Sequence, residues 1–270
     1  MRLCVFDLDH TLVNSPLDLA AMALEMRALI EHHCGPLPAR SERYRVGELI
    51  RHCAAEAPAM SAPVWKIALD HERRAVEAAW LEPGALEALT GARAAGFATA
   101  VWTNNAREVT LIALERFALT AHLDLIVTRD DMREMKPDPD GYRVIAAHFG
   151  HVRDAVVVGD SWVDGVAAAE AGVPFVAYRP KDEDLARWKI TPVARLTDLG
   201  ELPAWLRERA QRALPWSSSS SPPAQPGPHR RGRWPIACAR ARSTRSSGRS
   251  TCSVPGACCA RRSRAASCTR

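Results

Sequence analysis

Two aspartates separated by one residue, Asp7 and Asp9, end the apolar segment LCVFDLD near the start of the chain. On a β-strand, side chains two positions apart point to the same side and lie about 6.5–7 Å apart along the strand. Burying a charge without a partner costs several kcal/mol or more, so this aspartate pair needs a positive group beside it. The pair is therefore the first candidate for chemistry in the sequence.

Further polar residues fall where other predicted strands end. Thr103 and Asn104 close the apolar segment FATAVWT and its turn, and Lys136 lies in the loop EMKPDPDGY. Asp160 and Asp164 lie in VVVGDSWVDG, at a turn from strand to helix. Ligands of parallel sheets bind at the carboxyl ends of the strands, so these residues are expected to converge with the aspartate pair. Three or more carboxylates around one point need a cation, and an all-oxygen set favours Mg²⁺ over zinc.

The elements that must position these residues follow from the apolar pattern. Strand-like segments are LCVFDLD (3–9), FATAVWT (97–103), LDLIVT (123–128), DAVVVGD (154–160) and PFVAY (174–178). From residue 97 onward, segments with helical spacing of apolar residues alternate with these strands. Such β-α-β alternation predicts an α/β fold with a doubly wound parallel sheet of the Rossmann type.

Residues 16–82 have a different pattern. They read as amphipathic helices without a strand, which predicts a helical domain inserted into the α/β core. A last helix is predicted within LGELPAWLRERAQRALPW, and the chain after it changes composition. The predicted organisation is core in 1–15 and 83–214, a helical cap in 16–82, and a tail in 215–270.

The net charge of +5 conceals two differently charged parts. The tail holds 11 arginines and no acidic residue or lysine, whereas the rest has 25 basic against 31 acidic residues, a net charge of −6. Rich in Ser, Pro, Arg and Cys and nearly without aliphatic side chains, the tail is predicted to be disordered. Its composition favours a segment without a selected function over a basic arm for nucleic acid, and the acidic folded part is not expected to bind nucleic acid.

Neither a membrane span nor a signal peptide is expected. No stretch approaches the roughly 20 apolar residues of a span, and acidic residues interrupt the N-terminal apolar segment by Asp7. The cysteines before the tail, Cys4, Cys34 and Cys53, are few and scattered, which is typical of reduced thiols. We expect a cytoplasmic protein of unknown oligomeric state.

Four short motifs, in order, resemble those of the haloacid dehalogenase-like (HAD) hydrolase superfamily. They are DLDHT, the threonine of VWTNN, the lysine of MKPDPDGY, and GDSWVD. Each motif alone is weak, but four in order at strand ends are specific, and the resemblance covers roughly residues 1–200. A helical cap inserted just after the first strand is similar to the phosphoglycolate phosphatase-like branch.

The resemblance implies roles for the first motif. Asp7 would be the nucleophile that forms an aspartyl-phosphate, and Asp9 the acid/base, a role typically worth ~10²–10⁴-fold in rate. Mg²⁺ would be held by Asp7, Asp160 and the backbone carbonyl of Asp9. The hydroxyl of Thr11 would hold Asp9 in place. His10 departs from the glycine of many family members, and strand alternation predicts that it points away from the site.

The resemblance also implies roles for the later motifs. Thr103 and Asn104, with the backbone amides that follow Thr103, would bind the phosphoryl oxygens. Lys136 would stabilise the nucleophile and the charge that develops in the transition state. Asp164 would be a supporting residue that orients Lys136 or a water on the metal.

These inferences predict a Mg²⁺-dependent phosphatase that hydrolyses a small phosphorylated metabolite. A phosphosugar mutase of the same fold is an alternative, since it uses the same aspartyl-phosphate. A second alternative is a non-catalytic binding protein whose basic tail contacts nucleic acid. Phosphoglycolate, pyrophosphate, a sugar phosphate and a nucleoside monophosphate all stay open as substrates, because the cap shows no recognisable specificity motif.

Overall fold

The structure, a computed structural model, describes residues 1–212. In this range the β-strands are β1 (Arg2–Phe6), β2 (Val13–Asn14), β3 (Trp80–Leu81), β4 (Phe97–Trp102), β5 (Leu125–Val127), β6 (Asp154–Gly159), β7 (Phe175–Tyr178) and β8 (Ala194–Leu196). The α-helices are α1 (Leu19–Cys34), α2 (Val46–Glu56), α3 (Ser61–Glu77), α4 (Ala85–Ala94), α5 (Arg107–Arg116), α6 (Asp140–Phe149), α7 (Trp162–Glu170), α8 (Asp182–Arg187) and α9 (Leu202–Arg212).

Six strands form one parallel sheet in the order β5-β4-β1-β6-β7-β8. Strand β1 is central, and its last residue, Phe6, pairs with Val101 of β4 and with Val158 of β6. From β1 the chain next joins the sheet at β4, whereas from β6 it joins at β7 on the opposite side. The switch point of the topology therefore lies between the carboxyl ends of β1 and β6, where ligands of open α/β sheets bind.

The sheet is covered on both faces, which explains the near-continuous apolar character of its strands. Cys4 and Phe6 of β1 pack into an apolar cluster with α4, α5 and α9. Leu3 and Val5, which alternate with them, pack into a second cluster with α6 and α7. The predicted doubly wound parallel sheet is confirmed.

Helices α1, α2 and α3, here called the cap helices, have an apolar cluster of their own. Met26 and Ile30 of α1 pack there with Leu49 of α2 and Val64 of α3, and all four are buried. The cap helices follow the short strand β2 and precede β3, and these two strands pair antiparallel with Val13 opposite Leu81. The predicted absence of a strand in residues 16–82 is therefore wrong at β3, because two residues are too few to show a strand period.

Two later elements, β8 and α8, also have no counterpart in the sequence prediction. Strand β8 has only three residues, and α8 is a short helix of mostly charged residues, so neither shows a clear apolar period. The predicted tail lies outside the described residues. No helix in residues 1–212 is long and apolar enough to cross a membrane.

Candidate active site

Three strand ends bring polar residues to one edge of the sheet. Asp7 follows β1, and its backbone N–H still donates to Val158 O of β6 at 2.9 Å. Thr103 follows β4 and keeps the sheet register in the same way, with its N–H donating to Val127 O at 3.0 Å. Asp160 follows β6. The hydrogen bonds of the sheet therefore fix the backbone positions of Asp7 and Thr103.

Lys136 reaches this edge from the loop before α6. Its ammonium donates to Asp7 Oδ1 at 2.5 Å, to Asp164 Oδ1 at 2.6 Å and to Trp102 O at 2.8 Å. The side chain is only 4% exposed. All three hydrogens of the ammonium thus have an acceptor, which a buried charge requires.

Asn104 holds the backbone of Lys136 in place. Its Oδ1 accepts the Lys136 N–H at 2.9 Å, and its Nδ2 donates to Lys136 O at 3.0 Å. The side-chain amide of Asn104 is thus paired with the lysine loop, and its substrate-binding role stays a prediction for its backbone N–H. Thr103 is buried, and its hydroxyl oxygen accepts the N–H of Asn105 at 3.2 Å.

Asp164 lies in the first turn of α7 and is fixed from two directions. Its Oδ2 accepts the hydroxyl of Ser161 at 2.6 Å and the Ser161 N–H at 3.2 Å, while its Oδ1 accepts Lys136. A Cβ on Gly159 would lie 2.6 Å from Asp164 Cγ, so the close approach of this carboxylate requires glycine at the end of β6.

Asp7, Asp160 and Asp164 form an acidic cluster in which one oxygen of each lies within 4.8 Å of the others. Burial and the charge of Asp164 raise the pKa of Asp7 well above its usual value. Burial and the same neighbour raise the pKa of Asp160 to about 7. Burial alone would lower the pKa of Lys136, but Asp164 and Asp7 outweigh it and raise that pKa.

One lysine does not neutralise three clustered carboxylates. The raised pKa values of Asp7 and Asp160 show that the metal-free cluster favours taking up protons. A divalent cation would relieve this repulsion, and an all-oxygen donor set suits a hard cation. The residues present therefore fit a divalent metal.

Asp9 faces different partners from Asp7. Its Oδ1 accepts the hydroxyl of Ser15 at 2.6 Å, and its Oδ2 accepts Nδ2 of Asn105. The Thr11 hydroxyl is buried and has no hydrogen-bond partner among the described residues, so the predicted contact from Thr11 to Asp9 is not formed. The side chain of His10 is exposed, and its φ of 57° is left-handed.

Ser15 and Asn105 were missed at the sequence level. Asn105 is the last residue of the motif VWTNN, and Ser15 follows the motif DLDHT, six positions after Asp9. The contact of Asn105 with Asp9 joins residues 96 positions apart, and no local pattern indicates such a pair.

The cap helices contact the core beside this edge. Glu72 of α3 forms a buried ion pair with Arg129, and the Arg129 guanidinium lies 4.8 Å from the ring centre of Trp65. Arg45, at the start of α2, lies 5.4 Å from the ring centre of Trp162 in the Asp160–Asp164 turn. Residues of the inserted segment therefore contact the core next to the site.

Comparisons with known proteins agree with this geometry. The sequence profile of the family described as haloacid dehalogenase-like hydrolase matches residues 4–178. The chain is 34% identical over 184 residues to a phosphoglycolate phosphatase of Caulobacter vibrioides, covering 63% of this chain and 76% of that protein. It is 29% identical over 220 residues to a phosphoglycolate phosphatase of Mesorhizobium japonicum, covering 77% and 96%.

A solved structure shows the same fold. The crystal structure of a hydrolase from Pseudomonas syringae superposes with a TM-score of 0.58 at 22% identity, covering 76% of this chain and 98% of that one. The chain belongs to the haloacid dehalogenase-like hydrolase family. Phosphatases of this family generally use a divalent metal, and the acidic cluster offers a place for one.

Proposed function

We propose that the chain is a Mg²⁺-dependent phosphatase that hydrolyses a small phosphorylated metabolite through an aspartyl-phosphate on Asp7. The observation that carries this proposal is the Lys136 ammonium bound to both Asp7 and Asp164 at the sheet edge, with Asp160 beside them. The names of the relatives support phosphomonoester chemistry, and make phosphoglycolate the first substrate to test.

In the first step, a carboxylate oxygen of Asp7 attacks phosphorus, and the bond from phosphorus to the substrate oxygen breaks. Asp9 gives its proton to that oxygen, so the product leaves as a neutral alcohol. Lys136 holds Asp7 Oδ1, which leaves the second oxygen of Asp7 for the attack. Thr103 and the amides that follow it bind the phosphoryl oxygens.

In the second step, Asp9 takes a proton from a water that attacks phosphorus of the aspartyl-phosphate. The bond from Asp7 to phosphorus breaks, inorganic phosphate leaves, and Asp9 is again protonated. Lys136 stabilises the Asp7 carboxylate as it is released.

Mg²⁺ would be held by Asp7, Asp160 and the backbone carbonyl of Asp9, with Asp164 close by. When bound, it supplies positive charge that offsets the phosphoryl oxygens and the carboxylates together. Asp164 keeps Lys136 directed at Asp7 through its own contact with the ammonium.

The test is phosphate release from phosphoglycolate and from para-nitrophenyl phosphate, with Mg²⁺ and with EDTA. Asp7→Asn should keep the fold and abolish turnover, because the amide is a poor nucleophile. Asp138→Asn is the matched control, since Asp138 lies two residues from Lys136 but outside the acidic cluster. Turnover that persists in Asp7→Asn, or that is lost equally in Asp138→Asn, contradicts the mechanism.

A further inference from the structure

The carboxylate of Asp9 is held at both of its oxygens. Ser15 donates to Oδ1 at 2.6 Å, and Asn105 donates through Nδ2 to Oδ2. Two donors on different oxygens fix the rotation of a carboxylate about its last single bond, whereas one donor leaves it free to turn. The orientation of Asp9 therefore depends on where Asn105 lies.

The backbone of Asn105 is itself held on both sides. Its N–H donates to the Thr103 hydroxyl oxygen at 3.2 Å, and its carbonyl accepts the Arg129 N–H at 3.2 Å. The next residue, Ala106, directly precedes α5, and its N–H donates to Oε2 of Glu72 at 3.2 Å. A carboxylate from α3 thus stands at the N-terminus of α5, where unpaired N–H groups favour an anion.

Glu72 is fixed in this position by its own partners. It is 6% exposed at the side chain and pairs through Oε1 with Arg129, which is 8% exposed. The Arg129 guanidinium also packs over Trp65, from the same cap helix as Glu72. Glu72 therefore binds the side chain of Arg129, whose N–H holds the Asn105 carbonyl, and the N–H of Ala106, the residue after Asn105.

We infer that Asn105 is a positioning residue for Asp9, and that Glu72 of the cap helix α3 keeps Asn105 in the orientation that Asp9 needs. This inference rests on the proposed role of Asp9 as the acid that protonates the leaving oxygen. It assigns to the cap helices a share in the chemical step, because the contact chain runs from Glu72 through Ala106 and Asn105 to Asp9.

The leaving group separates positioning from a merely structural role. Protonation by Asp9 is essential for an alkoxide, which is strongly basic, but matters little for para-nitrophenolate, which is a stable anion. The quantity to measure is kcat/KM, because it reports the first phosphoryl transfer and excludes the later hydrolysis of the aspartyl-phosphate. A misplaced Asp9 therefore steepens the dependence of kcat/KM on leaving-group basicity, here called the slope. A general loss of folded protein instead lowers kcat/KM by the same factor for every substrate.

The experiment measures kcat/KM for glycerol phosphate, phenyl phosphate and para-nitrophenyl phosphate with Mg²⁺ present. For Asn105→Ala, we expect kcat/KM to fall about 10-fold or more for glycerol phosphate and less than about threefold for para-nitrophenyl phosphate, since misplacing Asp9 removes part of the ~10²–10⁴-fold of an acid–base role. Glu72→Ala should show the same slope. Glu72→Gln should retain a slope close to wild type, because its amide oxygen still accepts the Ala106 N–H.

Glu108→Gln is the matched control. It breaks the ion pair between Arg73 and Glu108, 2.7 Å long, which joins the same helices α3 and α5 at the surface. Its slope should equal that of wild type. Thermal melting of each variant shows whether it is folded, and Asn105→Ala alone decides the inference if Glu72→Ala does not fold.

Asp9→Asn separates this inference from the proposed function. If Asp9→Asn steepens the slope but Asn105→Ala lowers kcat/KM by the same factor for all three substrates, Asn105 does not position Asp9. The inference is then overturned. If Asp9→Asn itself leaves the slope unchanged, Asp9 is not the acid, and both the proposed role and the inference are overturned.

Discussion

Replacing Lys136 by methionine tests whether its ammonium offsets part of the negative charge of the acidic cluster. Lys136 is buried, and its three hydrogen bonds go to Asp7, Asp164 and a backbone carbonyl. Methionine has a similar length and fills the space without charge. Removing one partner of a buried ion pair costs about 3–5 kcal/mol, because the remaining charge stays buried. For a folded part of about 200 residues this lowers Tm by roughly 6–20 °C.

The stability lost in Lys136→Met depends on pH, and the direction of this dependence follows from the pKa values of the neighbouring carboxylates. The pKa of Asp7 is already raised by burial and by Asp164, and it should rise further without the ammonium. A carboxyl whose pKa is raised on folding contributes stability below its unfolded pKa, and that stability is lost as pH rises through its folded pKa. The loss in Lys136→Met should therefore be larger near pH 8 than near pH 5.

Thermal unfolding followed by circular dichroism measures this effect in EDTA at both pH values. Lys66→Met is the matched control, because Lys66 is 74% exposed and pairs only at the surface with Asp70. Its change in stability should stay within about 0.5 kcal/mol. Added Mg²⁺ should recover part of the loss in Lys136→Met. If the Tm of Lys136→Met at pH 8 in EDTA equals that of wild type, the ammonium does not offset the charge of the acidic cluster.

Two further predictions concern the metal and the packing under the site. Because burial and Asp164 raise the pKa of Asp160 to about 7, Mg²⁺ must displace a proton below that pH. Titration calorimetry should show Mg²⁺ affinity rising as pH increases through about 7, and an affinity independent of pH contradicts the raised pKa of Asp160. A Cβ on Gly141 would lie 2.1 Å from Trp102 Nε1, so Gly141→Ala should destabilise the fold by about 1–3 kcal/mol in urea unfolding. At Gly47 the nearest atom is 3.5 Å away, so Gly47→Ala should be neutral or stabilising by up to about 1 kcal/mol, and equal losses in both variants exclude the clash as the cause.

The sheet and most of its edge residues could be predicted from the sequence because the signals are local. An apolar run followed by a charged residue, as at Asp7 and Asp160, predicts both a buried strand and the position of its carboxyl end. The lysine loop was predictable for another reason, since its motif stands in order between the others. These patterns need only a few neighbouring residues.

The contacts of Asp9 could not be predicted in the same way. Thr11 is close in sequence and its hydroxyl has the right chemistry, yet that hydroxyl has no hydrogen-bond partner within residues 1–212, and Ser15 contacts Asp9 instead. Asn104 and Asn105 are identical in type and adjacent, but one pairs with the lysine loop and the other with Asp9. Which asparagine does which depends on the direction of the backbone after β4, and composition does not report that direction.

The central position of β1 has a consequence for motion. Each of its residues pairs with a strand on both sides, whereas the cap helices pack mainly in an apolar cluster of their own. Regions with fewer buried contacts open at lower free energy than core strands do. Amide protons of β1 should therefore exchange with solvent only when the whole core unfolds. Local opening of the cap helices would therefore leave the strand that ends at Asp7 in register.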